Sequence, residues 1–101
     1  MATQTKSKTD TIHKLMLKEP SMAKVILLNN DYTSVEFVIE ILKVVFNKNH
    51  DEAVVITQNV HNNGQGVCGI YPYDIAQAKA QEVLRIAAKN NDPLKVKLEL
   101  A

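Results

Sequence analysis

The sequence predicts a single α+β domain in which three helices pack on one face of a three-stranded antiparallel sheet. In residues 94–100, leucine and valine alternate with lysine and glutamate, which is the period of a strand with one buried face. Residues 24–28 form another strand, leucine-rich and β-branched, which is predicted to be buried on both faces and ends at turn-forming residues 29–31. Three stretches with helical patterning and one further strand lie between them. The predicted order is therefore strand, helix, helix, strand, helix, strand.

The first helix is predicted over residues 34–46. Residues Thr33 to Glu36 fit a capping box, in which the threonine oxygen accepts a hydrogen bond from one free amide and Glu36 accepts one from another. The apolar residues of this helix form one stripe, which indicates that one face packs against the sheet. The members of that stripe are Val35, Val38, Leu42, Val45 and Phe46.

A second helix is predicted from about His50 to Asn62, with its cap at Asn49. It is rich in valine, which is a mediocre helix former, so tertiary packing must stabilise it. Gly64 follows the helix and tolerates the positive φ at which helices commonly end.

Residues 66–71 are predicted to form the remaining strand, with Cys68 packed inside as a small hydrophobic residue. Pro72 suits the first turn of a third helix, and Asp74 favours the positive end of its dipole. This helix is alanine-rich and is predicted to end at about Lys89.

Composition and charge favour a small soluble domain. The chain has 101 residues and a formal net charge of +1, which gives no general attraction to nucleic acid or acidic membranes. Apolar runs are too short to span a bilayer, no secretory signal is visible and the single Cys68 cannot form an internal disulfide, so the expected compartment is the cytoplasm. Residues 1–20 are expected to be a flexible N-terminal arm because their first half is almost wholly polar. Residues 21–101 are then the folded domain.

The junctions between the predicted elements carry a family pattern. Residues 20–33 read Pro-Ser-Met-Ala-Lys-Val-Ile-Leu-Leu-Asn-Asn-Asp-Tyr-Thr, and residues 36–39 read Glu-Phe-Val-Ile. These blocks resemble the signature of the ClpS family, which runs Pro-Ser-Met-x-Lys-Val-Ile-Leu-x-Asn-Asp-Asp-Tyr-Thr and then x-Glu-Phe-Val. Further matches follow in order within residues 60–69 (Val-His, then Gly, then Cys-Gly) and at Pro-Leu in residues 93–94, so the resemblance covers about residues 20–101.

The resemblance implies an adaptor domain, ClpS-like over residues 21–101, that performs no catalysis. Such an adaptor binds the free α-amino group and the bulky hydrophobic first residue (Leu, Phe, Tyr or Trp) of N-degron proteins and peptides. It delivers them to the N-terminal domain of a ClpA-like AAA+ unfoldase of the Clp protease. The implied protein is a monomer that needs no cofactor or metal and binds neither nucleic acid nor membrane.

The resemblance also implies three groups of functional residues. The residues that bind the substrate α-amino group are Asn29, Asn30, Asp31 and His61. The residues that form the hydrophobic pocket are Thr33, Val35, Val38, Thr57, Val60 and Leu94. The residues at the unfoldase interface are Asp74 and Lys79.

The residue types suit this chemistry. An α-amino group is mostly an ammonium with three donors at pH 7, so its host must supply acceptors. Asn29 offers a carbonyl oxygen and a neutral His61 offers a ring nitrogen. Apolar side chains at one-turn spacing within residues 35–38 and 57–61 would line a slot between the first two helices. A Leu- or Phe-sized side chain buried there contributes roughly 1.5–3 kcal/mol.

Three positions depart from the family pattern. Asn30 replaces an acid, which predicts weaker amino-group binding, by roughly 1 kcal/mol in a solvent-open site. Val35 and Thr57 stand where the family usually has methionine. A shorter Val35 leaves room for β-branched first residues and Thr57 makes one wall more polar, so a broader or shifted preference is expected.

Other interpretations stay open at this stage. Residues 29–31 could form only a strand-to-helix turn. His61 and Cys68 could be a base and a thiolate nucleophile, but no orienting partner or oxyanion loop accompanies them. The histidines and Cys68 show no usual metal-ligand spacing. A protein–protein interaction module of the same fold, which docks a partner without reading N-terminal residues, is the alternative function.

Overall fold

The computed structural model describes residues 21–101, so the predicted arm of residues 1–20 lies outside the described residues. The strands are β1 (Met22–Leu28), β2 (Gln65–Pro72) and β3 (Lys95–Leu100). The helices are α1 (Val35–Val44), α2 (His50–Asn63) and α3 (Tyr73–Lys89). This order confirms the predicted fold class. None of these three helices is long and apolar enough to cross a membrane.

Strand β1 is the middle strand of the sheet. It pairs antiparallel with β2 on one side and with β3 on the other. Val25, Ile26 and Leu27 are at most 2% exposed, which confirms the prediction of a strand buried on both faces. The register shifts between Val25 and Ile26, where Cys68 of β2 is the extra residue of a β-bulge.

The three helices cover one face of the sheet, and the core lies between the two layers. Alternation along β1 places Ala23, Val25 and Leu27 on the helix side. Cys68 is buried among them, as predicted. The buried cluster consists of Ala23, Val25, Leu27, Val38, Ile41, Leu42, Val45, Phe46, Ala53, Val60, Cys68, Ala76, Val83, Ala87 and Leu94.

The start of helix α1 and its N-cap each lie one residue later than predicted. Ser34, not Thr33, is the N-cap, and its hydroxyl oxygen accepts a hydrogen bond from the Phe37 N–H at 3.1 Å. The predicted Thr33–Glu36 capping box was therefore wrong. The helix also ends at Val44, before the predicted Phe46, because the chain turns through Asn47, whose φ is 54°.

Helix α2 has both of its predicted terminal signals. The Asn49 side chain accepts from the Glu52 N–H at 2.8 Å, and the Glu52 carboxylate accepts from the Asn49 N–H at 3.1 Å. At the other end Gly64 adopts a φ of 85°, and its N–H donates to the Val60 carbonyl at 3.0 Å. This left-handed cap turns the chain directly into β2.

Strand β3 is an edge strand, and one of its predicted core residues is not buried. Val96 and Leu98 pack against the core as the alternation predicts. Leu100 is 71% exposed, because it lies at the end of the edge strand, where no further strand covers it on one side. Its assignment to the buried face was wrong.

Candidate functional site

A cleft lies between the β1–α1 loop, the first turn of α1 and the second half of α2. Its volume is about 380 Å³, and it is partly open to solvent. It brings together polar residues from the loop and apolar residues from the two helices. The residues that line it are Asn29, Asn30, Asp31, Thr33, Ser34, Val35, Glu36, Val38, Thr57, Val60 and His61.

A backbone hydrogen bond places the loop beside the end of α2. The Asn29 N–H donates to the Gly64 carbonyl oxygen at 2.9 Å. Gly64 caps α2 just after its last turn, in which His61 lies exposed. Asn29 and His61 consequently line the same cavity, as the sequence predicts, with Asp31 as an exposed carboxylate near them.

The Asn30 side chain is engaged within its own loop. Its Oδ1 accepts hydrogen bonds from the backbone N–H groups of Tyr32 (2.8 Å) and Thr33 (2.9 Å). Its Nδ2 donates to Thr33 Oγ1 at 2.8 Å. This is an Asx turn, so the turn-forming interpretation of this residue holds alongside its position in the cleft lining.

The walls of the cleft are apolar at depth and more open at the rim. Val38, Thr57 and Val60 are each buried, whereas Val35 is 51% exposed. The Thr57 hydroxyl donates to the Ala53 carbonyl at 2.7 Å, within its own helix. Its only proton is thereby used, so Thr57 adds less polarity to the wall than the sequence predicts.

Leu94 lies in the core, in the same buried cluster as Val38 and Val60 of the cleft wall. It is 3% exposed, belongs to the core cluster and is absent from the residues that line the cavity. The chain just before β3 nevertheless reaches the site through Asp92. The Asp92 Oδ1 accepts from the Leu94 N–H at 2.9 Å and from the Thr33 hydroxyl at 2.5 Å.

Asp92 carries no sequence signal that marks it as a site residue. Asp92 and Thr33 are 59 positions apart in the sequence, so no local sequence pattern predicts the hydrogen bond between them. The only local signal is that an aspartate at this position can accept a hydrogen bond from the amide two residues later, which is a common turn arrangement. That signal predicts a turn but not a partner in the cleft.

The predicted interface residues Asp74 and Lys79 lie on a separate surface. Lys79 is partly buried, and its Nζ donates to the Val45 carbonyl at 2.9 Å. The same Nζ lies 5.2 Å from the Tyr71 ring centre and 5.9 Å from that of Phe46. Lys79 therefore stabilises the end of α1, while Asp74 is exposed. They share a shallow depression lined by Val44, Val45, Asp74, Ile75, Ala78, Lys79 and Glu82.

The geometry does not pair His61 with Cys68. Cys68 is 1% exposed and does not line the cleft. Burial raises the pKa of the Cys68 thiol from its ordinary 9.0 to about 12, although a hydrogen bond with the Leu27 backbone and the Lys48 charge lower it. At neutral pH it is an uncharged thiol. Within residues 21–101, no three His, Cys, Asp or Glu side chains are grouped closely enough to hold a metal ion.

The described residues thus form a small α+β domain that carries a cleft lined by exposed polar residues and buried apolar ones. The sequence model of the family described as ATP-dependent Clp protease adaptor protein ClpS matches residues 18–97. The chain belongs to the ClpS family of Clp protease adaptors, which confirms the resemblance found in its sequence.

Individual relatives agree over most of the chain. The ClpS adapter protein of Wolinella succinogenes is 48% identical over 91 residues, which is 90% of this chain and 89% of that protein. The ClpS adapter protein of Clostridium acetobutylicum is 57% identical over 83 residues, 82% of each chain. The solved structure of Agrobacterium tumefaciens ClpS2 bound to L-phenylalaninamide superposes with a TM-score of 0.79 at 35% identity, covering 82% of this chain and all of that one.

Proposed function

We propose that this adaptor recognises proteins by a free α-amino group and a bulky hydrophobic first residue, and that it delivers them to a ClpA-type AAA+ unfoldase. The observation that supports the proposal most strongly is the composition of the cleft. Its lining combines the exposed polar residues Asn29, Asp31 and His61 with the buried apolar side chains of Val38 and Val60. The adaptor itself performs no catalysis in this proposal, and it acts as a monomer in the cytoplasm.

The mouth of the cleft suits an ammonium group. Such a group has three donors, and the three residues offer an amide oxygen, a carboxylate and a ring nitrogen. The amino end of α1 begins nearby at Val35 and carries a partial positive charge that repels a cation. The carboxylates of Asp31 and Glu36, which both line the cleft, oppose that repulsion and favour amino-group binding.

The apolar walls suit a large first side chain. Burying a Leu- or Phe-sized group against them contributes roughly 1.5–3 kcal/mol. The structural relative from Agrobacterium tumefaciens is bound to L-phenylalaninamide, which carries both a free α-amino group and a phenyl ring. A ligand of the same two-part chemistry fits the cleft of this chain, with the amine at the mouth and the ring between α1 and α2.

The rim of the cleft favours a broad choice of first residue. Val35 is half exposed there and is shorter than the methionine usual in the family. The space that it leaves accommodates side chains branched at Cβ, so isoleucine and valine are accepted beside leucine and the aromatic residues.

Delivery involves a second surface and the arm. The depression beside Asp74 and Lys79 also exposes the apolar Val44 and Ile75, which is typical of a protein-docking surface. We assign it to the N-terminal domain of the unfoldase. Residues 1–20 resemble the extension that the unfoldase engages during delivery, so deleting them is expected to spare peptide binding and to impair hand-off.

Peptide titration tests the proposal. Fluorescent peptides that differ only in their first residue are titrated with the protein and followed by anisotropy. Phe- and Leu-initiated peptides should bind, whereas the same peptides with an acetylated α-amino group, or with glycine first, should not. Equal binding of acetylated and free peptides contradicts the proposal and favours an interaction module that does not read N-terminal residues.

A further inference from the structure

The loop that carries the amino-group acceptors is held at both of its ends. At its start, the Asn29 N–H is bound to the Gly64 carbonyl at the end of α2. At its end, the Thr33 hydroxyl is bound to Asp92, which precedes β3. Among the described residues, this second hydrogen bond is the only side-chain link from the loop to a distant segment.

The Asp92 carboxylate also determines how the Thr33 hydroxyl is oriented. A hydroxyl has one proton, and two oxygens lie within its reach: Asp92 Oδ1 at 2.5 Å and Asn30 Oδ1 at 3.1 Å. The charged and nearer acceptor takes the proton. A lone pair of Thr33 Oγ1 is then directed at Asn30 Nδ2, which donates to it at 2.8 Å.

That orientation extends to the Asn30 side chain. Because Nδ2 is held by Thr33, the Asn30 Oδ1 faces the backbone N–H groups of Tyr32 and Thr33 and closes the turn. Because Asp31 lies within this turn, the turn also fixes the position of the Asp31 backbone. A carboxylate outside the cleft lining is thus connected, through two hydrogen bonds, to the residues at the mouth of the cleft.

We propose that Asp92 is a positioning residue for N-terminal recognition, which acts through the Thr33 hydroxyl to hold the Asn29–Thr33 loop in its binding geometry. This inference rests on the proposed function. It adds a residue from outside the site, and it assigns to Thr33 a role beyond that of a pocket wall. The same Asp92 oxygen accepts from the Leu94 N–H, so the carboxylate ties the loop to the rigid entry of β3.

The test is a double-mutant cycle on peptide affinity. Asp92→Ala should weaken binding of a Phe-initiated peptide about 5- to 10-fold, which corresponds to the net contribution of one typical hydrogen bond. In the Thr33→Val background, the same Asp92→Ala change should alter affinity less than about twofold, because the hydroxyl through which it acts is gone. An equal loss in both backgrounds overturns the proposal.

Conservative variants separate positioning from general damage to the fold. Asp92→Asn keeps an oxygen that can accept from both Thr33 and Leu94, so it should retain affinity within about twofold. Asp51→Asn is the matched control, since Asp51 is an exposed aspartate in the first turn of α2 and does not line the cleft. It should bind like the wild type.

A second pair of variants leaves Asp92 intact, in case its alanine variant does not fold. Thr33→Ser keeps the hydroxyl and should bind more tightly than Thr33→Val, which should lose as much affinity as Asp92→Ala. Equal affinities of Thr33→Ser and Thr33→Val overturn the proposal. If the wild type binds tightly and no Asp92 or Thr33 variant changes its affinity, this inference alone is overturned. If the wild type does not bind, the proposed function is overturned as well.

Discussion

Gly66 of β2 lies so close to Val60 of α2 that a Cβ atom at position 66 would stand 2.8 Å from Val60 Cγ2. It would also stand 3.1 Å from the Ile56 carbonyl oxygen. The strand and the helix are therefore in direct backbone-to-side-chain contact, and glycine is required for that approach. Since Val60 is part of the cleft wall, the packing of β2 determines the position of that wall.

Gly66→Ala should displace Val60 and affect both stability and binding. The free energy of unfolding should fall by about 1–3 kcal/mol, the usual cost of overpacking, and affinity for a Phe-initiated peptide should fall with it. Urea denaturation and peptide titration measure the two effects. In a Val60→Ala background the stability loss should be smaller, because the clashing methyl is absent and only the close approach to the backbone remains. An undiminished loss of stability in the Val60→Ala background would show that the contact between positions 66 and 60 is not the cause.

His61 should contribute an acceptor to the binding of the peptide amino group. His61→Ala removes that acceptor and should weaken binding of a Phe-initiated peptide, whereas His61→Gln keeps an acceptor and should bind more tightly than His61→Ala. Asp31 and Glu36 line the same cavity in all three proteins, so the comparison isolates the side chain at position 61. Equal affinities of the two variants would show that His61 does not contact the amine.

Cys68 should be unreactive in the folded protein. Burial raises its pKa to about 12, so little thiolate exists at pH ~8 and reagent access is blocked. A colorimetric disulfide reagent should label Cys68 only after denaturation. Rapid labelling of the native protein would contradict the burial.

The same pKa shift predicts an alkaline loss of stability. Because the folded-state pKa is raised, the thiol contributes stability that is complete below its ordinary 9.0 and is lost as pH rises toward 12. Other groups titrate in this range, so the measurement is a comparison: the stability of Cys68→Ala should fall less steeply with pH than that of the wild type. Parallel slopes would contradict the prediction.

Lys79→Met should lower stability without changing peptide affinity. Methionine keeps most of the aliphatic stem but removes the hydrogen bond to the Val45 carbonyl and the cation above the Tyr71 ring, at a cost of about 1–2 kcal/mol. Lys95→Met is the control because Lys95 is exposed on β3. Equal stability of the two variants would show that the Lys79 contacts do not stabilise the fold. Because Lys79→Met is expected to affect stability, binding to the unfoldase is tested with Asp74→Ala.

Val35→Met should narrow the choice of first residue. A longer side chain at the rim crowds ligands branched at Cβ, so affinity for Ile- and Val-initiated peptides should fall severalfold relative to Phe. Val55→Met is the matched control, since Val55 is a half-exposed helical valine outside the cleft lining. An unchanged ratio of Ile to Phe affinity in Val35→Met would contradict a gating role for this position.

The parts of the fold that local chemistry encodes were predictable. Alternation identified β3, and the Asn49–Glu52 pair with Gly64 identified both ends of α2. Each of these signals lies within a few residues, so no tertiary information was needed. The resemblance to a family supplied the site residues, and the structure places most of them around one cleft.

The failures have a common physical cause, which is competition decided by distant residues. Thr33 and Ser34 are adjacent hydroxyl residues, and both residue types are favoured at the N-cap of a helix such as α1. Asp92 takes the Thr33 hydroxyl, and Ser34 becomes the cap. Leu100 follows the alternation of its strand but is exposed at the end of an edge strand, and which strand lies at the edge of the sheet is a tertiary property. No sequence pattern carried that information.

The tie between Asn29 and Gly64 has a dynamic consequence. Fraying of the last turn of α2 removes the acceptor of the Asn29 amide, so the helix terminus and the loop open as one unit. The amide protons of Asn29 and Gly64 should then exchange with solvent at similar rates and be protected together. In the proposed function, one such opening event would release both the amino group and the first side chain of the ligand.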